Sequence, residues 1–360
     1  MGFKFNTDLL TDEDDRTMAA KAYPNVFFAL DDQELRDVFL PIDKQANATK
    51  THSRRLGILA VCLVTGALLA AATAPIHHNW PWYWPKIIIA AGALAGLIGG
   101  AIGAIGIWFA RTKSDWLEQR YLAERLRQLH FQMLVAWAPD ILKAADSGDK
   151  SAFLAARTAR LERFKQQQIG PAASKLGEMI KEECGEELWL MKPSEAPLPE
   201  TSPYVHELMQ AIEDLRITHQ LNYAEIKLNS ENLSMVASPR KQVAFFSGVA
   251  FWAVVSLLIL DIAALLGVFG PPEVGGSIEV AALALAILAL AMRALEEGFQ
   301  SRREMERFRQ FGSNLRLVRR RFRDATDAAA KLHALREMEE LAYEDLVNFL
   351  KGNHEARFIM

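Results

Sequence analysis

The chain has only two cysteines among its 360 residues, which are too few for a disulfide framework or a cysteine-based metal site. It also lacks the motifs HExxH, GxSxG, the P-loop and a GxGxxG between a strand and a helix. His77 and His78 are adjacent, but no further metal ligands accompany them. We therefore expect a protein that is not an enzyme and that holds neither a metal nor a cofactor.

Lysine and arginine are missing from four long apolar runs, 56–74, 87–110, 243–269 and 274–292. A helix needs about 20 apolar residues to cross a bilayer, whereas buried helices of a soluble protein are shorter and have polar interruptions. No secretory signal peptide precedes the first run, because the first 55 residues are charged and include TDEDDR. Strand patterns are absent as well. The sequence predicts an all-α membrane protein with four transmembrane helices.

Positive charge is concentrated on one side of the apolar runs. KTHSRR precedes the first run, RTK follows the second, PRK precedes the third, and Arg293 with SRREMER follows the fourth. The loops PIHHNWPWYWP and FGPPEVGGSIE contain neither lysine nor arginine. The positive-inside rule then places both termini in the cytoplasm and arranges the four helices as two hairpins, with long cytoplasmic helices outside the membrane.

The apolar runs divide the chain into five segments. They are an N-terminal cytoplasmic helical segment 1–55, a transmembrane hairpin 56–110, a cytoplasmic helical region 111–242 with a proline-rich linker 191–204, a second hairpin 243–294, and an arginine-rich C-terminal helix 295–360. The helix after the first hairpin is expected to stop at Pro139. The last helix has no proline up to Lys351, which predicts one helix with an interruption at Gly312. Both hairpins have the same orientation, which argues against an inverted-repeat transporter.

Six glycines interrupt the second apolar run, although glycine in a helix interior costs about 1 kcal/mol relative to alanine. They share one face at helical spacing: Gly92, Gly96, Gly99, Gly100, Gly103 and Gly106. In lipid, small residues let helix backbones approach and gain van der Waals contact. The face therefore predicts helix packing. A neighbouring helix of the same chain, a second chain in an oligomer and a pore lining are the three alternatives.

Two carboxylates stand within the runs of the second hairpin. Asp261 lies about 27 Å from Val243 at helical rise, and Glu279 lies near the start of the fourth run, so both are expected at the outer end. Charges inside a membrane are costly and are functional candidates. In an oligomer they would form carboxylate rings at a pore mouth that favour cations. The alternative is two interfacial carboxylates that simply reach water.

The C-terminal segment combines a dense arginine flank with an apolar heptad. The heptad positions are Phe308, Phe311, Leu315, Val318, Phe322, Ala325, Ala329 and Leu332, and they predict packing against another helix. The candidate ligand-binding arginines beside them are Arg309, Arg316, Arg319, Arg320 and Arg323. Guanidinium forks match phosphate geometry, so one interpretation is an anionic nucleotide ligand. Anionic lipid headgroups and acidic helices of the same chain are the alternatives.

A motif directly behind the first hairpin resembles a known family. The pattern W-x3-R-x2-A-E-x-L-R consists of Trp116, Arg120, Ala123, Glu124, Leu126 and Arg127. It is similar to bacterial SLATT domains and to the related SMODS-associated two- and four-transmembrane effectors. The stretch DLRITHQLNYAEIKLNSENLS also resembles the lead-in helix of such proteins, with Gln220 and Tyr223 at the corresponding places. The second exit helix lacks the tryptophan and the Ala-Glu pair.

The resemblance implies a nucleotide-regulated, pore-forming effector of a bacterial anti-phage system. Its expected location is the inner membrane, and its expected partners are the lipid bilayer, further copies of itself, and a regulatory nucleotide or oligonucleotide made by a partner nucleotidyltransferase. The alternative from another class is a non-conducting membrane scaffold or sensor that recruits a cytoplasmic protein. Neither interpretation fixes whether a ligand opens or closes a pore.

Overall fold

A computed structural model describes residues 5–74, 76, 81, 83–102, 107–172, 176–177, 188–191, 198, 202–229, 233–234, 237–266 and 275–356. Every long element within these ranges is a helix, and no strand occurs there, which confirms the all-α prediction. Four of the helices are long and apolar enough to cross a membrane. The four predicted runs therefore coincide with four helices of membrane length.

Thirteen α-helices are described over these residues. In chain order they are α1 (Glu13–Ala22), α2 (Phe27–Leu30), α3 (Gln33–Ala72), α4 (Tyr83–Gly100), α5 (Ile107–Ala136), α6 (Ala138–Ser147), α7 (Ser151–Phe164), α8 (Val205–Ile212), α9 (His219–Asn229), α10 (Pro239–Leu265), α11 (Gly275–Phe299), α12 (Ser301–Asp324) and α13 (Ala328–Glu355). Two π-helical segments continue α7 over Lys165–Ile169 and join α8 to α9 over Glu213–Thr218. The chain forms two compact units.

The first unit comprises Met1–Asn47, Trp116–Glu231 and Glu306–His354. Its core brings together fully buried leucines from distant parts of the sequence, including Leu10, Leu126 and Leu215. The heptad face of α12 from Phe308 to Phe322 is buried in this core. That face therefore packs within its own chain. The predicted stop at Pro139 is confirmed, because α5 ends at Ala136 and Pro139 lies in the first turn of α6.

The single C-terminal helix predicted from 295 to 351 is wrong. Gln300, with a φ of 53°, separates α11 from α12, and residues 325–327 separate α12 from α13. Asp327 caps α13 by accepting a hydrogen bond from the Ala330 amide at 2.6 Å, and an aspartate cap of this kind favours a new helix start. Gly312 lies inside α12 and causes no interruption.

Helix α13 returns antiparallel to α12. Arg321 donates to Glu337 at 2.8 Å, and Arg307 donates to Asp345 at 2.5 Å, so residue numbers rise along one helix as they fall along the other. The heptad prediction consequently fails at two positions, whereas Leu332 of α13 is buried in the core of the first unit. Ala325 lies in the break and Ala329 is exposed, because the helix that would have continued their face has ended.

The second unit comprises Ala48–Asp115, Asn232–Met305 and Glu355–Met360, and it contains two antiparallel helix pairs. In the pair formed by α10 and α11, Ser247 donates to Glu296 at 3.5 Å. Gln242 of α10 also accepts a hydrogen bond at 2.8 Å from Ser301, which begins α12 just beyond the end of α11. In the other pair, α4 packs against the apolar part of α3. The connections 75–82 and 267–274 lie almost entirely outside the described residues.

Candidate functional site

The charged residues of the W-x3-R-x2-A-E-x-L-R motif form ion pairs along one face of α5. Arg120 contacts Asp43 of α3 at 3.4 Å and also pairs with Glu124 one helical turn ahead. Glu124 in turn accepts a hydrogen bond from Arg127 at 2.7 Å. The spacings of three and four residues place neighbouring side chains on the same helix surface. The motif thus produces a row of alternating charges.

This row continues into the core of the first unit. Arg127 contacts Asp8 at 2.9 Å, and Asp8 lies 3.8 Å from Arg216 in the π-helical segment. Arg216 then donates two hydrogen bonds to Glu339 of α13, at 2.7 and 3.1 Å. The side chains become more buried along the row, from 27% exposed at Asp43 to 1% at Glu339. We call these residues the buried charge row. In order of contact they are Asp43, Arg120, Glu124, Arg127, Asp8, Arg216 and Glu339.

Alternation of sign makes this burial tolerable. Burial by itself raises the pKa of Glu124, but the charges of Arg120 and Arg127 outweigh it and hold that pKa at about 2. Burial likewise raises the pKa of Asp8, and the neighbouring arginines bring it below its usual value. At the deep end burial prevails and raises the pKa of Glu339. A buried charge costs several kcal/mol unless it is paired in this way.

Arg125 is a further buried cation that the motif did not single out. Its side chain is 0% exposed, donates to Gln128 at 2.7 Å, and lies with its guanidinium carbon 5.2 Å from the centre of the Tyr343 ring. A charged residue in an apolar helix face was the signal that could have identified Arg125.

Gln132 of α5 holds a short segment of chain, because it donates to the Leu188 carbonyl at 2.9 Å and accepts from the Leu190 amide at 2.8 Å.

The five candidate ligand-binding arginines all lie within 4.0 Å of a carboxylate of the same chain. The pairs are Arg309 with Glu306 at 3.6 Å, Arg316 with Glu225 at 3.4 Å, Arg319 with Glu213 at 3.5 Å, Arg320 with Asp324 at 3.9 Å, and Arg323 with Glu213 at 2.7 Å. The arginines extend over about 21 Å of α12 at helical rise. They therefore do not form one compact site, and an anionic ligand must compete with the carboxylates.

Three of these arginines form a smaller group. Arg319 and Arg323 contact Glu213, which begins the π-helical segment between α8 and α9. Arg316 contacts Glu225 in α9. Arg316 and Arg323 are more than half exposed, whereas Arg319 is 27% and Glu213 is 14% exposed. An ion pair that solvent reaches contributes only about 0–1 kcal/mol to stability. Their guanidinium groups can exchange a carboxylate for another anion at little cost. Arg309 and Arg320 pair within α12 itself.

The glycine face of α4 contacts α3. A Cβ atom built on Gly92 would lie 2.7 Å from the Ala70 Cβ, and one built on Gly99 would lie 2.9 Å from the Leu63 Cβ. Gly96 is similarly close to Ala67, at 3.0 Å. These distances leave no room for a side chain, so the helices approach at the glycines. A Cβ atom on Gly100 would meet nothing within 4 Å, and Gly103 and Gly106 lie outside the described residues.

The two membrane carboxylates lie at the same end of the second helix pair. The register that joins Gln242 to Ser301 and Ser247 to Glu296 brings Asp261 of α10 level with the neighbourhood of Glu279 of α11. Both side chains are exposed. Among the described residues, neither makes a recorded hydrogen bond or ion pair. Both are therefore accessible to water, lipid or another subunit.

Comparisons with known proteins add no assignment to this geometry. No protein-family model, no curated protein and no solved structure matches the chain. The similarity to SLATT domains stays a prediction that depends on residues 116–127 and on the order of the apolar helices.

Proposed function

We propose that the protein is a pore-forming effector of the bacterial inner membrane, a homo-oligomeric ion channel that a nucleotide signal regulates during anti-phage defence. One observation carries the proposal: a single chain combines four helices long and apolar enough to cross a membrane with a separate helical unit that has its own core. The first unit supplies a place to receive a signal. The second unit supplies the membrane helices.

Assembly into an oligomer follows from what the second unit leaves exposed. Large apolar side chains such as Leu97, Trp252 and Leu265 are more than half exposed, at 73%, 66% and 86%. In a membrane these faces meet lipid or a further subunit. Four helices that pack as two pairs are too few to enclose a channel, so a ring of chains is required. Asp261 and Glu279 would then repeat around its outer mouth and attract cations.

Regulation is proposed to act on the arginines of α12. A phosphate-bearing ligand would displace Glu213 and Glu225 from Arg316, Arg319 and Arg323. The pair between Arg316 and Glu225 is exposed on both sides and therefore weak. A ligand can shift the channel only if its affinity differs between closed and open assemblies. The displaced carboxylates offer such a difference, because their repulsion from the ligand depends on how far α12 and α9 separate.

The test is ion flux from liposomes that contain the purified full-length protein, before and after addition of a nucleotide extract from cells that carry its operon. We expect the extract to change the flux in either direction. Replacing both Asp261 and Glu279 by lysine should reduce the preference for cations. Glu344→Lys, an exposed carboxylate of the first unit, should leave the preference unchanged. A preparation that stays oligomeric and conducts under neither condition contradicts the proposal.

A specific observation favours the second candidate, a non-conducting membrane scaffold that recruits a protein partner. All five candidate arginines lie within 4.0 Å of a carboxylate of their own chain, as expected for a solvated helix surface without a nucleotide ligand. The triple variant Arg316→Gln, Arg319→Gln and Arg323→Gln separates the two candidates. It should abolish the response to the extract if these residues bind nucleotide, and an unchanged response in the variant assigns them to ordinary surface pairing.

A further inference from the structure

A polar cavity of about 400 Å³ lies in the second unit where α11 ends and α12 begins. It is lined by three arginines and three glutamates, Arg293, Arg302, Arg303, Glu296, Glu297 and Glu355. Gln300 also lines it, and the φ of 53° at that residue turns the chain between the two helices. Its volume is within the usual range for a site that holds a small ligand.

Two of the six charged residues form a fixed wall. Glu296 is buried, accepts a hydrogen bond from Arg302, and has a second guanidinium 3.6 Å away. Arg302 is held further by a hydrogen bond to Ser247 at 2.9 Å. Glu296 is therefore held inside the protein, and Arg302 is oriented by two hydrogen bonds although its side chain is 58% exposed. They shape the cavity and leave ligand contacts to the remaining residues.

The other arginines keep donors for a ligand. Among the described residues, Arg303 donates one hydrogen bond, to Glu355 at 2.7 Å, and Arg293 makes one long contact, to Glu296 at 3.6 Å. A guanidinium group carries five N–H donors, so most of those on Arg293 and Arg303 are not used by these contacts. Forks of this kind bind phosphate oxygens in pairs. The first turn of α12, a 24-residue helix, adds a positive helix end beside them.

The charge balance of the cavity selects among phosphate ligands. Three cations and three anions line it, so a plain anion gains little from the net charge. Glu297 is exposed, and no ion pair joins it to a described residue. Its carboxylate is placed to accept hydrogen bonds from a cation. A ligand that carries both a phosphate and a primary ammonium uses both signs.

We propose that this cavity binds a phosphate group linked to a primary ammonium, with Arg293 and Arg303 on the phosphate and Glu297 on the ammonium. An ethanolamine phospholipid and soluble glycerophosphoethanolamine both present this chemistry. Arg293 is the first basic residue after the apolar part of a candidate membrane span, which places the cavity where lipid headgroups lie. The proposal does not depend on ion conduction.

Native mass spectrometry of the full-length protein in detergent measures the binding directly. The probes are phosphatidylethanolamine, phosphatidylglycerol and phosphatidylcholine, each titrated separately. We expect the ethanolamine lipid to bind at least about tenfold more tightly than the other two, a ratio typical of one charge-assisted hydrogen bond. The glycerol headgroup has no cation, and the quaternary ammonium of choline has no N–H donor for Glu297.

Single variants assign the roles. Glu297→Gln should remove the preference for ethanolamine over glycerol, whereas Arg303→Gln should weaken the binding of both lipids by about tenfold. Glu306→Gln and Arg321→Gln are matched controls, because both side chains are exposed on α12 and do not line the cavity. Equal affinity for the ethanolamine and glycerol lipids in the unchanged protein overturns the proposal, as does an unaltered preference in Glu297→Gln.

Competition with soluble glycerophosphoethanolamine distinguishes the two sources of the ligand. Displacement of the lipid at equal concentration assigns the cavity to a free metabolite. Retention of the lipid assigns it to the membrane. Both outcomes support the same phosphate and ammonium chemistry. The circular dichroism of each variant should match that of the unchanged protein, since the side chains replaced are exposed.

Discussion

We predict that Arg216→Met, a substitution at the most buried end of the buried charge row, destabilises the first unit. Arg216 is 3% exposed, donates twice to Glu339, lies 3.8 Å from Asp8 and has its guanidinium carbon 4.5 Å from the centre of the Phe131 ring. Methionine keeps an apolar side chain against Phe131 but leaves Glu339 as a buried charge without its cation. Breaking a buried pair in this way costs about 3–5 kcal/mol.

Hydrogen exchange measured by mass spectrometry on the full-length protein is the assay. Peptides from α8, the following π-helical segment and α13 report the free energy of local opening in the first unit. A loss of about 3 kcal/mol accelerates their exchange by about a hundredfold. Peptides from α10 and α11, in the second unit, serve as the internal reference and should exchange at an unchanged rate.

The double variant Arg216→Met with Glu339→Met separates pairing from burial. Replacing both partners by apolar residues of similar size is often neutral, because neither charge then remains in the core. We therefore expect the double variant to exchange more slowly than the single one and to approach the unchanged protein. The reasoning is refuted if Arg216→Met costs less than about 1 kcal/mol, or if the double variant is as unstable as the sum of the two single variants.

Two further predictions concern a histidine and the glycine face. Burial, together with Arg157, lowers the pKa of His130 from 6.5 to about 3, so the neutral ring stabilises the first unit above pH 6.5 and this contribution is lost as the pH falls toward 3. His130→Leu should flatten the dependence of thermal stability on pH over that window, and an identical pH profile in the variant would contradict the assignment. For the glycines, Gly99→Ala places a Cβ atom 2.9 Å from Leu63 and should destabilise the protein in detergent by about 1–3 kcal/mol. Gly100→Ala, with open space around it, should be neutral or stabilise by up to about 1 kcal/mol, and equal melting temperatures for the two variants would contradict the packing.

Local composition was sufficient to predict the helical class and the four apolar helices. A long apolar run without lysine or arginine is by itself typical of a membrane-spanning helix. Each of the four runs coincides with a helix of membrane length. The heptad also identified which side chains of α12 would be buried, from Phe308 to Phe322. It could not identify their partner, because an apolar stripe has the same pattern whether it packs against its own chain or another.

Long-range pairing was beyond the reach of sequence patterns. Asp8, Arg216 and Glu339 are separated by more than a hundred residues at each step, and only the tertiary fold brings them together. The end of α12 was missed for a different reason. The cap supplied by Asp327 is a single local interaction, and it prevails over the apolar spacing that continues through Ala325 and Ala329.

Burial divides the arginines of the first unit into two classes, which differ in how much free energy it costs to separate them from their carboxylate partners. Arg127 and Arg216 lie at most 15% exposed between carboxylates, and releasing either from its partners leaves a charge in the core at a cost of several kcal/mol. Arg316 and Arg323 are more than half exposed beside Glu225 and Glu213, and water can replace those partners at little cost. A signal that works by exchanging anions must therefore act on the exposed class. The motif arginines of α5 instead hold the unit in one arrangement, so substitutions there should change stability before they change any response to a ligand.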